Sequence, residues 1–277
     1  MLPLDHVTVA GTDLRRMQAA LAAIGIETVY GGAHQDGATE MAMVSFPDGS
    51  YLELIAPQRN AAAGNHPWTH FLTGNAGPCA WAVSAADLDS ELRRLQSAGI
   101  PVSPPIANGR LRPDGVRLEW KTATCGAGLP ASFFPFLIQD LTARELRAFP
   151  QGAPGNREFR GIARVVLAVR DLHASIARYR QAYGLADFVE QADSAFHAQL
   201  AVASDAPIVL AQPLAGDSWL ASRLAEFGEA PCAVLLDAAD FAPAAVSAQS
   251  RWSDLDIRWF DRQALGWRLG WVRAHRG

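Results

Sequence analysis

Alternating apolar and polar residues mark a strand over residues 4–10, Leu4-Asp5-His6-Val7-Thr8-Val9-Ala10, and another over residues 50–56, around Tyr51-Leu52-Glu53-Leu54-Ile55. Successive side chains of a strand point to opposite faces. Val7 and Val9 therefore share one face, and His6 and Thr8 the other. Leu52 and Leu54 separate from Tyr51 and Glu53 in the same way. If the apolar faces pack on helices, His6, Thr8, Tyr51 and Glu53 are left to line a cavity. Between the two strands the pattern predicts a helix over residues 13–24, with Thr12 as its N-cap and Gly25 just past its end. Strands follow over residues 26–31 and 40–47, and Pro47-Asp48-Gly49 has hairpin chemistry. Together these make one β-α-β-β-β unit.

The pattern then repeats. A connector holds Gly64, Pro67 and Gly74, with a short helix expected around Trp68-Thr69-His70-Phe71. A second unit opens at Cys79-Ala80-Trp81-Ala82-Val83. Its helix spans residues 87–98 and stops at Gly99, and strands follow at 101–104, 116–124 and 133–139. A third unit opens over residues 162–169, with a helix over 172–183 that ends at Gly184 and strands at 186–192, 196–203 and 207–212. The stretch 218–224 reads as helical. A fourth, shorter unit opens at Pro231-Cys232-Ala233-Val234 and ends in strands at 255–260 and 267–273. Pro150, Gly152, Pro154 and Gly155 place a linker at residues 146–155, between a domain over 1–145 and a second over 156–277.

Short motifs support the repeat. Asp13-Leu14 follows His6, Asp87-Leu88 follows Ala80 and Asp171-Leu172 follows Arg164, all at one spacing, and Asp240 follows Ala233 likewise. Pro78-Cys79-Ala80 recurs as Pro231-Cys232-Ala233. Self-similarity at regular intervals is read before any single element. The fold class it predicts is α+β, built from four βαβββ-type units.

Composition narrows the function. The net charge of -4 and the lack of a basic run argue against nucleic-acid or anionic-membrane partners, which need dense Lys and Arg patches. The first residues lack a signal-peptide layout, and no apolar stretch is long enough to cross a bilayer. Three widely spaced cysteines, Cys79, Cys125 and Cys232, point to a reducing compartment and no disulfide framework, so a cytoplasmic location is expected. Cys79 and Cys232 open equivalent strands and read as small core residues. No Gly-x-Ser-x-Gly, Walker-type loop or Gly-x-Gly-x-x-Gly after a strand is present.

Leu4-Asp5-His6-Val7 followed by Asp13-Leu14, and Tyr51-Leu52-Glu53-Leu54, resemble the vicinal-oxygen-chelate superfamily of glyoxalases, bleomycin-resistance proteins and extradiol dioxygenases. Gly31-Gly32-Ala33-His34 and the Tyr-Leu-Glu-Leu-Ile strand resemble more closely its glyoxalase-like domain group. The resemblance implies two half-open, barrel-like sheets with helices on the outer face. It also implies a divalent metal (Zn²⁺, Fe²⁺, Mn²⁺ or Ni²⁺) on a concave face, held by a His on the first strand and a Glu on the last strand of each unit. In the first unit these are His6 and Glu53. The later units depart from the pattern: Ala80, Arg164 and Ala233 stand where His would be, Val209 stands at one Glu position, and only Gln139 could serve at the end of the second unit.

Further residues could complete the site. His34, in a Gly-rich loop, could swing over a cavity. His66 and His70 are four apart, with Pro67 between them. Alternation puts Arg117, Glu119 and Lys121 on one strand face. If that face is the cup, Arg117 suits a substrate carboxylate and Glu119 a general base; if it faces solvent, it is an ordinary charged surface. His34 and Glu119 are thus the candidate proton carriers, and Tyr51, Thr8, Arg117 and Gln139 the candidate substrate contacts. Trp81 and Trp120 are expected in the helix-packed core. Arg164 either binds an anion or makes a salt bridge between domains.

Two functions fit. One is a metal-dependent lyase, isomerase or dioxygenase acting on a small organic substrate. The other is a metal-free protein that binds or sequesters a small molecule. The second domain could also be purely structural, capping the first or forming a homodimer.

Overall fold

The computed structural model describes residues 2–34, 37–58, 68–112, 114–238 and 246–273. Expectations for His66 and Asp240 fall outside them. The first eight strands are β1 (Leu4–Ala10), β2 (Val29–Ala33), β3 (Thr39–Ser45), β4 (Tyr51–Pro57), β5 (Gly77–Ser84), β6 (Ile106–Leu111), β7 (Arg117–Ala123) and β8 (Phe136–Asp140). They form one sheet in the order β2-β3-β4-β1-β5-β8-β7-β6. Strands β9 (Phe159–Ala168), β10 (Phe188–Asp193), β11 (Ala198–Ala203), β12 (Ile208–Pro213), β13 (Ala230–Ala238), β14 (Ala248–Trp252), β15 (Leu255–Trp259) and β16 (Arg268–Arg273) form a second sheet in the order β10-β11-β12-β9-β13-β16-β15-β14. The two orders are the same. In each, the first and last strands of a unit pair in parallel, and the two units join antiparallel through their first strands. Each sheet curls into a nearly closed, barrel-like cup, with helices between the two sheets.

The repeated Asp-Leu motif explains itself. Asp13, Asp87 and Asp171 are the N-caps of helices α1 (Leu14–Ala22), α3 (Leu88–Ser97) and α5 (Leu172–Tyr183), and each side chain accepts from a backbone N–H three residues on. The cap of α1 is thus Asp13 and not Thr12. Leu14, Leu88 and Leu172, the first residue of each helix, are buried. They join Val7, Val9, Leu52, Leu54, Trp81, Val165, Leu167 and Tyr179 in a core that runs through both domains. In β1 and β4 the alternation rule therefore placed the convex, helix-packed faces correctly.

Three elements depart from the expected pattern. No strand forms at 101–104, where Pro104 and Pro105 follow at once; Val102 makes only an isolated bridge to Cys125, and β6 starts after the prolines. A short helix, α4 (Arg144–Ala148), occupies residues expected to be irregular and overlaps the expected start of the linker. The fourth unit gains β14, so it matches the others in strand number. The expected connector helix is α2 (Thr69–Thr73). No helix among the described residues is long and apolar enough to cross a membrane.

Candidate functional site in the amino-terminal cup

His6 and Glu53 meet on the concave face of the first sheet. β1 and β4 run parallel, with His6 beside Tyr51 and Thr8 beside Glu53. Asp5, fully buried, accepts a 2.6 Å hydrogen bond from His6 Nδ1. It sits where the β1–β5 register shifts. Two arginines of α4 hold the same carboxylate: Arg147 at 2.9 Å to each oxygen, and Arg144. Burial alone would raise the Asp5 carboxyl, but Arg147 and His6 outweigh it and hold it well below the usual range. An ionised Asp5 only accepts. His6 therefore carries its proton on Nδ1 and turns Nε2 to the cup. Arg147 also donates to Tyr51 Oη at 2.6 Å and to both oxygens of Asp140. Tyr51 stacks on His6 with 4.7 Å between ring centroids. Burial, the largest influence on the Tyr51 phenol, pushes it up and keeps it protonated.

Glu53 lies between two imidazoles. His6 Nε2 is 3.8 Å from one carboxylate oxygen and His34 Nε2 is 3.7 Å from the other. Thr8 Oγ1 donates to Glu53 at 3.2 Å. Burial would raise the Glu53 carboxyl; the imidazoles of His34 and His6, with Arg110 further off, bring it down from 4.5 to about 2. His34 reaches the cup by a local irregularity. The β2–β3 register shifts between Tyr30 and Gly32, and Gly32 has a φ of 107°. Such a bulge re-aims the chain beyond it, and only glycine takes that backbone angle without strain. His34 Nδ1 is then fixed by Thr39 Oγ1 at 2.6 Å.

The cup encloses about 260 Å³, lined by His6, His34, Met41, Tyr51, Glu53, Trp68, Asn108, Arg110, Trp120, Thr122, Phe136, Ile138 and Arg147 among others. Even-numbered residues of β6, β7 and β8 face inward. Trp120 is therefore a cavity wall and not a helix-packed core residue, whereas Trp81 is in that core as expected. By the same parity Arg117 and Glu119 face solvent and pair with each other at 2.8 Å, so neither reaches the cup. An exposed pair of this kind is worth about 0–1 kcal/mol. Gln139 also points outward, where it donates to Ala86 O at 3.0 Å and accepts from Leu88 N at the start of α3. Of the candidate substrate contacts, Tyr51 lines the cup and Thr8 reaches it through Glu53. Arg110, Arg147 and Asp5 went unrecognised in the sequence.

The other ligand positions are filled differently. Thr8 pairs with Glu53, so the equivalent pairings, Ala82 with Phe136, Val166 with Val209 and Leu235 with Gly270, put Phe136, Val209 and Gly270 at the positions of Glu53. Arg164, at the third His position, makes no ion pair among the described residues and donates only to Ala163 O, at 3.2 Å. The interdomain salt bridge expected of it does not form. His70 does bridge the domains: its Nε2 donates to Glu226 O at 2.7 Å, and its ring lies 5.4 Å from that of Phe227. All three cysteines are buried and free, and burial raises Cys79 and Cys232 to about 12.

As they stand, no three His, Cys, Asp or Glu side chains among the described residues are grouped to hold a metal ion. The chemistry of the donors at Glu53 nonetheless suits one. Both imidazoles have Nδ1 tied from behind and Nε2 facing an ionised carboxylate, as metal-ligating histidines do.

A cup of paired βαβββ units with His on the first strand and Glu on the last places the chain in the vicinal-oxygen-chelate superfamily. Within it, the glyoxalase-like domain family model matches residues 4–183, and the chain belongs to that family. Among solved structures, a hypothetical protein from Staphylococcus aureus superposes with a TM-score of 0.68 at 15% identity, over 99% of this chain and 100% of that one. A mutant 4-hydroxymandelate synthase from Streptomyces coelicolor gives 0.59 at 11% identity, over 99% and 93%. At these identities the likeness is one of fold. No curated protein matches the sequence.

Proposed function

We propose that the amino-terminal cup acts on a small organic substrate by lyase, isomerase or dioxygenase chemistry centred on His6, His34 and Glu53. The observation that carries this is the pair of Nε2 atoms, at 3.8 and 3.7 Å, facing one ionised carboxylate inside a largely apolar cavity. Those gaps exceed a hydrogen bond and leave room for a third group. Asp5 fixes the tautomer of His6. Glu53, held at about 2, stays a base at any ordinary pH. Trp120, Phe136 and Tyr51 exclude water from a bound substrate, which strengthens each polar contact inside. His6 Nε2, His34 Nε2 and Glu53 would hold a divalent ion, Zn²⁺, Fe²⁺, Mn²⁺ or Ni²⁺, which when bound polarises adjacent substrate oxygens.

A second reading is a metal-free protein that binds a small molecule without chemistry. Ala80 and Phe136, in the second unit's ligand positions, favour it. Titration calorimetry of Zn²⁺ and Mn²⁺ into metal-stripped protein separates the two. The first reading expects binding that weakens at least tenfold in His6→Ala and Glu53→Gln. If neither ion binds at millimolar concentration, and the purified protein carries no divalent metal, the metal-dependent reading fails.

A further inference from the structure

Arg110 is 5% exposed and lines the cup from β6. Its guanidinium meets weak partners. Nη1 donates to Gly31 O and to Met41 Sδ at 3.0 Å, and Nη2 to Met43 Sδ at 3.5 Å. Thioethers are poor acceptors. Among the described residues no carboxylate lies within ion-pairing distance of Arg110, and its Nε makes no hydrogen bond. Arg147, the other buried cation of the cup, is saturated by Asp5, Asp140 and Tyr51. The local backbone makes room for Arg110: a Cβ on Gly31 would fall 2.7 Å from Nη1. A buried, always-charged group supported by one carbonyl, two sulfurs and, only at longer range, the Glu53 carboxylate is costly unless something else completes it.

We propose that Arg110 is the carboxylate anchor of the cup, and that the cup takes a compact aromatic carboxylic acid. The carboxylate meets the Nε–Nη2 edge of the guanidinium, the flat fork that matches it in two parallel hydrogen bonds. The ring lies among Tyr51, Trp120 and Phe136, which favour edge and offset contacts. A volume of about 260 Å³ is enough for one ring and a short acid. The inference rests on the reading that the cup takes a small organic molecule, and it does not require a metal.

Benzoate and its uncharged isostere benzamide test it, by titration calorimetry and tryptophan fluorescence on the full chain. The expected result is benzoate binding at least tenfold tighter than benzamide in wild type. In Arg110→Gln the ratio falls to about one, with benzamide binding held within about twofold. Arg110→Lys, which keeps the charge without the fork, loses most of the preference, and serves if Arg110→Gln does not fold. Added chelator leaves benzoate binding within about twofold. No benzoate binding at millimolar concentration, equal binding of the two probes, or a preference that survives in both Arg110 variants overturns the inference. So does benzoate binding abolished by chelator, which would place the carboxylate on a metal and leave the metal-dependent reading standing. Arg110-dependent benzoate binding in a protein that takes up no divalent ion separates the outcomes the other way.

Discussion

The two halves of the chain share one topology and have opposite interiors. In the first cup the inward residues are His6, Glu53, Arg110 and aromatic walls around a cavity. In the second, the same face is filled by a buried apolar cluster: the ring centroids of Phe196, Trp252 and Trp259 lie within 5.6 Å of one another, and helix α6 (Trp219–Phe227) adds Leu220 and Leu224. Arg164 and Ala233 replace His6, and Val209 and Gly270 replace Glu53. The sheet alone therefore carries no chemistry; the residues on its inner face decide whether a cup is a site or a core.

Buried arginines sharpen that contrast most. Arg147 is compensated by Asp5 and Asp140. Arg268, at the position of Tyr51 in the second cup, has no ion pair among the described residues and lies 4.2 Å over the Trp219 ring. Burial, and then repulsion by Arg262, lower it to about 10. Arg147→Met should cost about 3–5 kcal/mol, because it strands Asp140 and leaves the fully buried Asp5 with only Arg144 and His6. Arg268→Met should change stability by about 1 kcal/mol or less, in either direction, because it strands none. Urea denaturation reads both, and equal losses would erase the distinction between a compensated and an uncompensated cation.

The aromatic residues make the next comparison. Trp252→Ala removes a fully buried ring from a filled cup and should cost about 3 kcal/mol or more. Trp120→Ala enlarges an existing cavity and should cost about 1 kcal/mol, its main effect being weaker benzoate binding. A large loss at Trp120, or a small one at Trp252, would mean that the hollow and filled cups are not so different.

Much of this was legible in the residues. Alternation in β1 and β4 put His6 and Glu53 on one face, and the recurring Asp-Leu pairs marked three of the four units. Alternation fixes which residues share a face but not which face is concave, so Arg117 and Glu119 were as plausible as Trp120. Arg110 was missed because the apolar Ile100 and Val102 drew the strand too early, ahead of the prolines that displace it. Arg144 and Arg147 lie on a helix of five residues, too short for periodicity to reveal. That they close on Asp5, more than a hundred residues away, is a fact of tertiary packing alone.

Glu53 gives a smaller, pH-dependent difference. Its folded carboxyl titrates at about 2 against an ordinary 4.5. A depressed carboxyl adds stability that is complete above the unfolded value and is lost as pH falls through the folded one. Wild type should therefore exceed Glu53→Gln by at most about 3 kcal/mol above pH ~5, with the gap closing between about pH 4.5 and 2. Val209, its counterpart, cannot titrate, so Val209→Ala should cost the same at pH 6 and pH 3. A Glu53→Gln gap that is flat with pH would mean the imidazoles do not hold the carboxylate ionised.

The smallest effect tests what the halves still share. Asp13 and Asp171 accept from Arg16 N at 3.1 Å and Ala174 N at 2.9 Å, at the same point of equivalent helices. Each removes one orphan donor from a helix start, so Asp13→Ala and Asp171→Ala should each cost about 1 kcal/mol. Neither side chain touches a cup, so Zn²⁺ and benzoate binding should not move. The caps belong to the repeated scaffold, which both halves need in order to fold, whereas the inward residues have been free to diverge. Asp13→Ala weakening a ligand while Asp171→Ala changed only stability would break this division, because it would make a scaffold motif part of one site.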